Sequence, residues 1–173
     1  PARVRHRIGF DGRELHAAIR QRLVHYHLAK GNEDEARRIL RDLAPPSIQS
    51  EIVEQELGVR YRRLCESLLQ RRAASGLRMS PETLFPKLAV WSKRAIELAP
   101  RDPGSHLIAA DLAFSGGDDE AVAQHLSDAV HNGLETADAM RFLDLALSKR
   151  PDSAPLVALR QSLPTPQTAS PTP

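Results

Sequence analysis

Apolar residues recur at intervals of three and four positions along most of this 173-residue chain. Ala36, Ile39, Leu40 and Leu43 fall at positions i, i+3, i+4 and i+7, which places their side chains on one face of an α-helix. Gly31 lies just upstream as a turn residue, and another apolar helical pattern precedes it. Two helices joined by so short a connection must pack antiparallel. The pattern therefore predicts an all-α chain built from helical hairpins.

The composition favours the same fold class. Only 4% of the residues are aromatic, whereas β-strands are enriched in aromatic and β-branched side chains. The single cysteine, Cys65, excludes an intramolecular disulfide and a cysteine-based zinc site. Because Cys65 lies on an apolar helix face, we expect a buried, unreactive thiol. No window approaches the ~18 apolar residues that a membrane-spanning helix needs.

Turn residues and prolines divide the chain into predicted helices. We expect them at about 15–28, 33–43, 47–74, 80–98, 103–115, 119–131, 136–148 and 156–163. The apolar face of the first comprises Leu15, Ile19, Leu23, Tyr26 and Leu28. Gly58 falls inside the third and predicts a kink or break there, because glycine disfavours a helix by about 1 kcal/mol relative to alanine. The predicted organisation is a basic flexible arm (1–12), a helical domain (13–163) and a Pro/Thr-rich disordered tail (164–173).

Charge is distributed unevenly along the chain. Residues 1–80 contain 16 Lys/Arg and 10 Asp/Glu, whereas residues 81–173 contain 8 and 12. Arg3, Arg5 and Arg7 give the start a basic character that suits the phosphates of an anionic membrane surface or of nucleic acid. A solvated terminus without a partner is the alternative interpretation.

A phrase in the middle of the chain resembles the tetratricopeptide repeat (TPR). Residues 95–103 read Ala-Ile-Glu-Leu-Ala-Pro-Arg-Asp-Pro, and Pro100 stands where a repeat of 34 residues closes. Counting on from it places Ala110 and Gly117 at the small and turn positions of the next unit. Gly31 and Gly117, however, are two and a half units apart. The resemblance implies a degenerate TPR-like antiparallel helix-hairpin solenoid with irregular extra helices; an irregular helical bundle is the alternative.

The TPR resemblance also implies a binding surface, because first-helix residues of that family line a concave groove for peptides or helices. The corresponding positions here are Ala18, Gln21, Arg22 and His25 in the early hairpin, and Leu107, Ile108, Asp111, Phe114 and Ser115 in the later one. Leu107, Ile108 and Phe114 would form an apolar strip suited to a protein segment. Burial of Leu107 and Phe114 in the core remains the alternative.

Enzyme motifs are missing from the sequence. It contains no glycine-rich phosphate loop with a lysine, no Gly-x-Ser-x-Gly and no His-Glu-x-x-His. His106, His125 and His131 could approach one another with Asp128, but the sequence gives little support for a metal there. Helix capping accounts for the acidic cluster at 118–120. We expect no catalytic residue, metal or cofactor.

The resemblance and the basic start favour a non-catalytic protein-interaction scaffold. Its implied setting is a membrane-associated bacterial envelope assembly, as in polysaccharide export, secretion or cytochrome maturation. A cytoplasmic or membrane-associated location is favoured, with a periplasmic one left open. Two alternatives stand beside this hypothesis: an accessory domain of a larger enzyme, and a nucleic-acid-binding module. The second would use the arginines of the basic half, namely Arg3, Arg5, Arg7, Arg13, Arg20 and Arg22.

Overall fold

The computed structural model describes residues 12–43, 50–75 and 81–164. Within those ranges the chain forms eight α-helices and no strand, so the predicted all-α class is confirmed. The helices are α1 (Gly12–Ala29), α2 (Glu33–Leu43), α3 (Ser50–Ser75), α4 (Pro81–Leu98), α5 (Pro103–Gly116), α6 (Asp119–His131), α7 (Thr136–Lys149) and α8 (Ala154–Ser162). The predicted arm and nearly all of the predicted tail lie outside the described residues.

The chain divides into two compact units, and the division falls within α3, after Leu57. In the first unit, α1 and α2 form a hairpin through a turn in which Gly31 has a φ of 80°. The predicted face of α2 is confirmed, since Ala36, Ile39 and Leu40 are buried. The first residues of the predicted 47–74 helix, before Ser50, also lie outside the described ranges.

The apolar face predicted for α1 is wrong for three of its residues, whereas Leu28 is buried as predicted and the Leu15 side chain lies outside what the structure describes. Ile19, Leu23 and Tyr26 are 42–56% exposed, whereas Val24 and Leu28 are buried. The tight turn after α1 presents the i, i+4 pair of Val24 and Leu28 to α2, and the other three residues then project from roughly the opposite side of the helix. Periodicity alone had identified the helix but not the face that its partner covers.

An arginine links α2 to the beginning of α3 within the first unit. The Arg37 guanidinium donates to both carboxylate oxygens of Glu54, at 2.6 and 3.0 Å, and to Glu33 at 2.7 Å. Hydrogen bonding to Glu54 raises the pKa of Arg37 further above its ordinary value. A forked, partly buried pair of this kind fixes geometry as well as contributing energy.

α3 continues into the second unit through Gly58 without a break, so of the predicted kink or break the break is wrong. A β-carbon built at Gly58 would lie 2.6 Å from the Ala99 Cβ and 2.8 Å from the Ala99 backbone nitrogen. Glycine is therefore placed here for close packing against the end of α4. Further along α3, Cys65 is fully buried with Leu84, Leu88 and Ile108, as expected for an inert thiol.

The α5–α6 hairpin has strong local signals at each of its bounds. The Asp102 carboxylate accepts from the Ser105 N–H at 2.9 Å, and Pro103 occupies the first turn of α5. Gly117 ends α5 in the left-handed region, with a φ of 86°. The Asp118 carboxylate then caps α6 by accepting from the Ala121 N–H at 3.0 Å. The two helices are thus joined only by Gly117 and Asp118, and they pack antiparallel.

The last core cluster joins this hairpin to α7 and α8. Its fully buried members are Ala110, Val122, Leu126, Leu143, Ala146 and Leu156. The predicted inward residues of α7 are confirmed: Met140 and Leu143 are buried, and Leu147 packs against the cluster. α6 contacts both α7 and α8, and the cluster brings together residues of α5 and α7, the two helices that line the groove described next.

Candidate functional site

An open groove lies between α5 and α7 in the second unit. Its volume is about 360 Å³, near the lower end of the range for ligand pockets. The residues that line it are Asp111, Phe114, Ser115, Phe142, Leu145, Ala146, Lys149 and Arg150. The floor is aromatic and aliphatic, and charged side chains stand at its margins.

Two phenylalanines form the floor of the groove. Phe114 of α5 and Phe142 of α7 meet edge to face, with ring centroids 6.2 Å apart and planes at 77°. Both side chains are partly buried against the α5–α8 core cluster. An edge-to-face pair of this kind is favourable beyond its buried area, so the floor is a fixed element of the fold.

Arg150, which follows α7, holds one end of this floor. Its guanidinium carbon lies 4.3 Å from the centroid of the Phe114 ring, and its Nη2 donates to the Phe114 carbonyl at 2.6 Å. Its Nη1 pairs with the Asp119 carboxylate. One guanidinium therefore ties the end of α5, the start of α6 and the end of α7 together, and Asp119 partly neutralises its charge.

The rim of the groove contains an exposed apolar side chain beside a cation. Leu145 is 60% exposed although it lies on the apolar side of the groove. Lys149 follows it by one helical turn and is also exposed. An exposed leucine next to an aromatic floor marks a surface on which another apolar group gains by packing.

The structure brings three of the sequence-predicted binding residues into this groove: Asp111, Phe114 and Ser115. Ile108 is only 8% exposed and packs in the Cys65 cluster, and Leu107 packs against the α5–α8 core. These two side chains therefore support the groove from behind. The early-hairpin positions lie on α1 in the first unit, where Ala18, Gln21 and Arg22 are exposed and His25 is half-buried.

The α7 wall was missed by sequence reasoning. Phe142, Leu145 and Lys149 lie at i, i+3 and i+7 and so share one face of α7. That spacing was readable, but the stronger pattern of Met140, Leu143 and Leu147 identified only the face toward the core. A helix with apolar residues on two faces packs against two neighbouring elements, or against one neighbouring element and a binding partner.

A second cluster, of side chains that could ligate a metal ion, lies between α5 and α6. His106 of α5 and His125 and Asp128 of α6 each place one potential ligand atom within 4.8 Å of the others. Burial, together with the neighbouring His106, lowers the pKa of His125. His131, which the sequence had grouped with them, is exposed and does not belong to the cluster.

The surroundings of Cys65 disfavour a reactive thiolate. Its side chain is fully buried, and this burial raises the pKa of the thiol to about 12. Since the thiolate is the nucleophile, a thiol with that pKa is unreactive near neutral pH.

None of the helices in the described ranges has both the length and the hydropathy needed to cross a bilayer. Comparison with protein-family models, with curated proteins and with solved structures found no match for this chain. The functional argument therefore depends on the geometry of its own residues.

Proposed function

We propose that this protein is a non-catalytic interaction module that holds a polypeptide segment of a partner protein in the α5–α7 groove. The single observation that carries the proposal is the open aromatic floor of Phe114 and Phe142 beside the 60%-exposed Leu145. A trough between two helices, with an apolar floor and a charged margin, is the surface that amphipathic helices and extended segments use.

The lining residues define the chemistry of the partner segment. One or two bulky apolar side chains fit a volume of about 360 Å³. The exposed ammonium group of Lys149 favours a carboxylate on the segment, one or two residues from the apolar anchor. Such a charge gives orientation and association rate more than affinity. We therefore expect the bound motif to be a large apolar residue flanked by Asp or Glu.

The TPR-like interpretation is part of the proposal. α5 and α7 are the first helices of two consecutive hairpins, α5–α6 and α7–α8, and first helices line the groove in the family that the sequence resembles. The bacterial envelope setting, by contrast, is supported only by the sequence resemblance and the basic start.

The choice of variant matters for testing this proposal. A charge at Ile108 or Phe114 would disrupt a buried cluster or the edge-to-face pair, so loss of binding would report unfolding. Leu145→Glu instead adds a carboxylate at an exposed position and repels the acidic motif that we expect. Val90→Glu is the matched control, because Val90 is 65% exposed on α4 and does not line the groove.

The experiment is selection of peptides from a random displayed library on the full chain, followed by affinity measurement for the selected sequences. We expect an apolar–acidic consensus whose affinity falls by about tenfold or more with Leu145→Glu, equivalent to about 1.4 kcal/mol, and is unchanged with Val90→Glu. Peptides that bind both variants equally well, or a consensus without an apolar anchor, would contradict the proposal.

A further inference from the structure

His106, His125 and Asp128 form a compact cluster because of how the α5–α6 hairpin is built. His106 lies near the start of α5, while His125 lies at the middle of α6 and Asp128 one turn closer to its end. In an antiparallel pair the start of one helix faces the end of the other. His125 and Asp128 are separated by three positions, so their side chains share a face of α6. The three potential ligand atoms lie within 4.8 Å of one another.

The His106 ring is held in an orientation that leaves one nitrogen available to a metal. Its Nε2 lies 2.8 Å from the carbonyl oxygen of Pro100, which can only accept, so Nε2 carries the proton and donates it. Nδ1 then bears the lone pair. The side chain is only 6% exposed, and Nδ1 is buried with no hydrogen-bond partner. A histidine ligand held by a second hydrogen bond to a backbone carbonyl is the usual arrangement at metal sites.

The other two side chains, His125 and Asp128, also offer potential metal-ligand atoms. The Nδ1 of His125 is also buried without a hydrogen-bond partner. Asp128 accepts from the Gln124 side-chain amide through Oδ1, at 3.1 Å. Its Oδ2 lies 3.9 Å from the His106 Nδ1, which is too long for a hydrogen bond. Neither buried Nδ1 has a hydrogen-bond partner in the described part of the chain, and the two imidazoles and the Asp128 carboxylate each offer one potential ligand atom within 4.8 Å of the others.

The distances between these potential ligand atoms suit a small ion. Zinc binds imidazole nitrogen and carboxylate oxygen at about 2.0–2.2 Å, so two ligands of a tetrahedral ion lie roughly 3.4 Å apart. The 3.9 Å pair would need to close by about half an ångström, which side-chain rotation can supply. Two imidazoles with one carboxylate favour Zn²⁺ and neighbouring transition metals over Mg²⁺ and Ca²⁺, which prefer oxygen ligands.

We propose that His106, His125 and Asp128 bind a divalent transition-metal ion of the zinc type, which joins the start of α5 to the second half of α6. The sequence had given this site little support, because a helical sequence does not show which ends of two helices will meet. Three protein ligands leave a fourth position for water or an exogenous donor. His125 also lines an open cleft of about 340 Å³ together with residues of α4 and α5.

The test uses the full chain after treatment with a chelator. Zn²⁺ is titrated by calorimetry, with Mg²⁺ as the competing hard cation, and Co²⁺ absorption reports the coordination geometry. Asp128→Asn and His125→Gln each remove a ligand from a partly exposed position, so both variants are expected to fold. His131→Gln is the matched control, since it removes an exposed histidine of the same helix that lies outside the cluster.

We expect one Zn²⁺ per chain in this site. Mg²⁺ should not displace it, and His131→Gln should leave the zinc affinity unchanged. Both ligand variants should weaken the affinity by about tenfold or more, which is at least the effect of losing an outer-shell partner. The same concentration of zinc should also raise the unfolding temperature of the unmodified chain by more than that of Asp128→Asn. The proposal would be overturned by unchanged zinc affinity in both ligand variants. It would also be overturned if the unmodified chain bound no zinc at micromolar concentration, as expected if His106 and Asp128 only pair with each other.

Discussion

Replacement of Gly58 by alanine is the sharpest test of how the second unit is packed. In a solvent-exposed helix interior this change stabilises by about 1 kcal/mol, because alanine has the higher helix propensity. At this position, however, the new methyl would lie 2.6 Å from the Ala99 Cβ, 2.8 Å from the Ala99 nitrogen and 3.0 Å from the Ala95 carbonyl oxygen. Two of these three atoms belong to the backbone and cannot rotate away.

The magnitude follows from setting these two effects against each other. Adding a methyl group to a well-packed interior costs about 1–3 kcal/mol. After subtraction of the propensity gain, we expect Gly58→Ala to lower the free energy of unfolding by about 1 kcal/mol, measured by equilibrium urea denaturation. Gly116→Ala is the control: Gly116 is also helical, but no atom lies within 4 Å of the added carbon. That variant should be neutral or more stable by a few tenths of a kcal/mol.

Ala99→Gly in the Gly58→Ala background should recover part of the loss, because it removes the nearest contact and leaves the backbone contacts in place. The two substitutions should therefore show a coupling energy of about 0.5–3 kcal/mol in a double-mutant cycle. If Gly58→Ala stabilises the protein as much as Gly116→Ala does, α3 and α4 do not approach as closely as described, and the reasoning is refuted.

Three further predictions follow from single sites. The raised pKa of about 12 for Cys65 means that iodoacetamide at pH 8 should label the thiol only after unfolding in urea; rapid labelling of the native chain would show an accessible thiol. Asp102→Ala removes the α5 cap together with the ion pair to Arg62 at 2.8 Å, and should cost at least about 1 kcal/mol in urea denaturation. Asp102→Asn keeps the cap and loses only the ion pair, so it should cost less. Arg150→Lys keeps the charge but loses the fork to Asp119 and the Phe114 carbonyl, and should cost about 1 kcal/mol. A double-mutant cycle of Arg150→Lys with Asp119→Asn that shows no coupling would contradict this last prediction.

The helices themselves could be predicted from the sequence because their signals are local. Asp102 and Pro103 at the start of α5, Gly117 at its end and Asp118 before α6 each act within four residues of where they stand. The position of a helix terminus depends on the backbone N–H and C=O groups that lack a partner within the helix. The residues that form hydrogen bonds to those groups are neighbours in sequence. The same holds for the buried face of α2, where a single strongly amphipathic pattern left one choice.

The covered face of α1 and the second apolar faces of α5 and α7 could not be predicted because contacts distant in sequence decide them. α5 has apolar residues around most of its circumference: Ile108 packs toward α3 and α4, whereas Ala110 and Phe114 pack toward α7 and α8. Such a helix shows almost no amphipathic pattern from which to choose a face. The groove residues Phe142 and Leu145 were missed for the same reason, since they lie on a second apolar face of α7.

The two proposed sites occupy opposite ends of one helix, and this arrangement makes them separable. His106 and Phe114 are eight positions apart on α5, so about 12 Å of rigid helix lies between the metal cluster and the groove floor. Their side chains also pack in different surroundings: His106 lies beside His125 of α6, and Phe114 meets Phe142 of α7. Loss of zinc in His125→Gln should therefore leave peptide selection intact, and Leu145→Glu should leave zinc affinity intact. Because α5 is held between these neighbours by its own caps and core contacts, neither ligand is needed to form the site of the other.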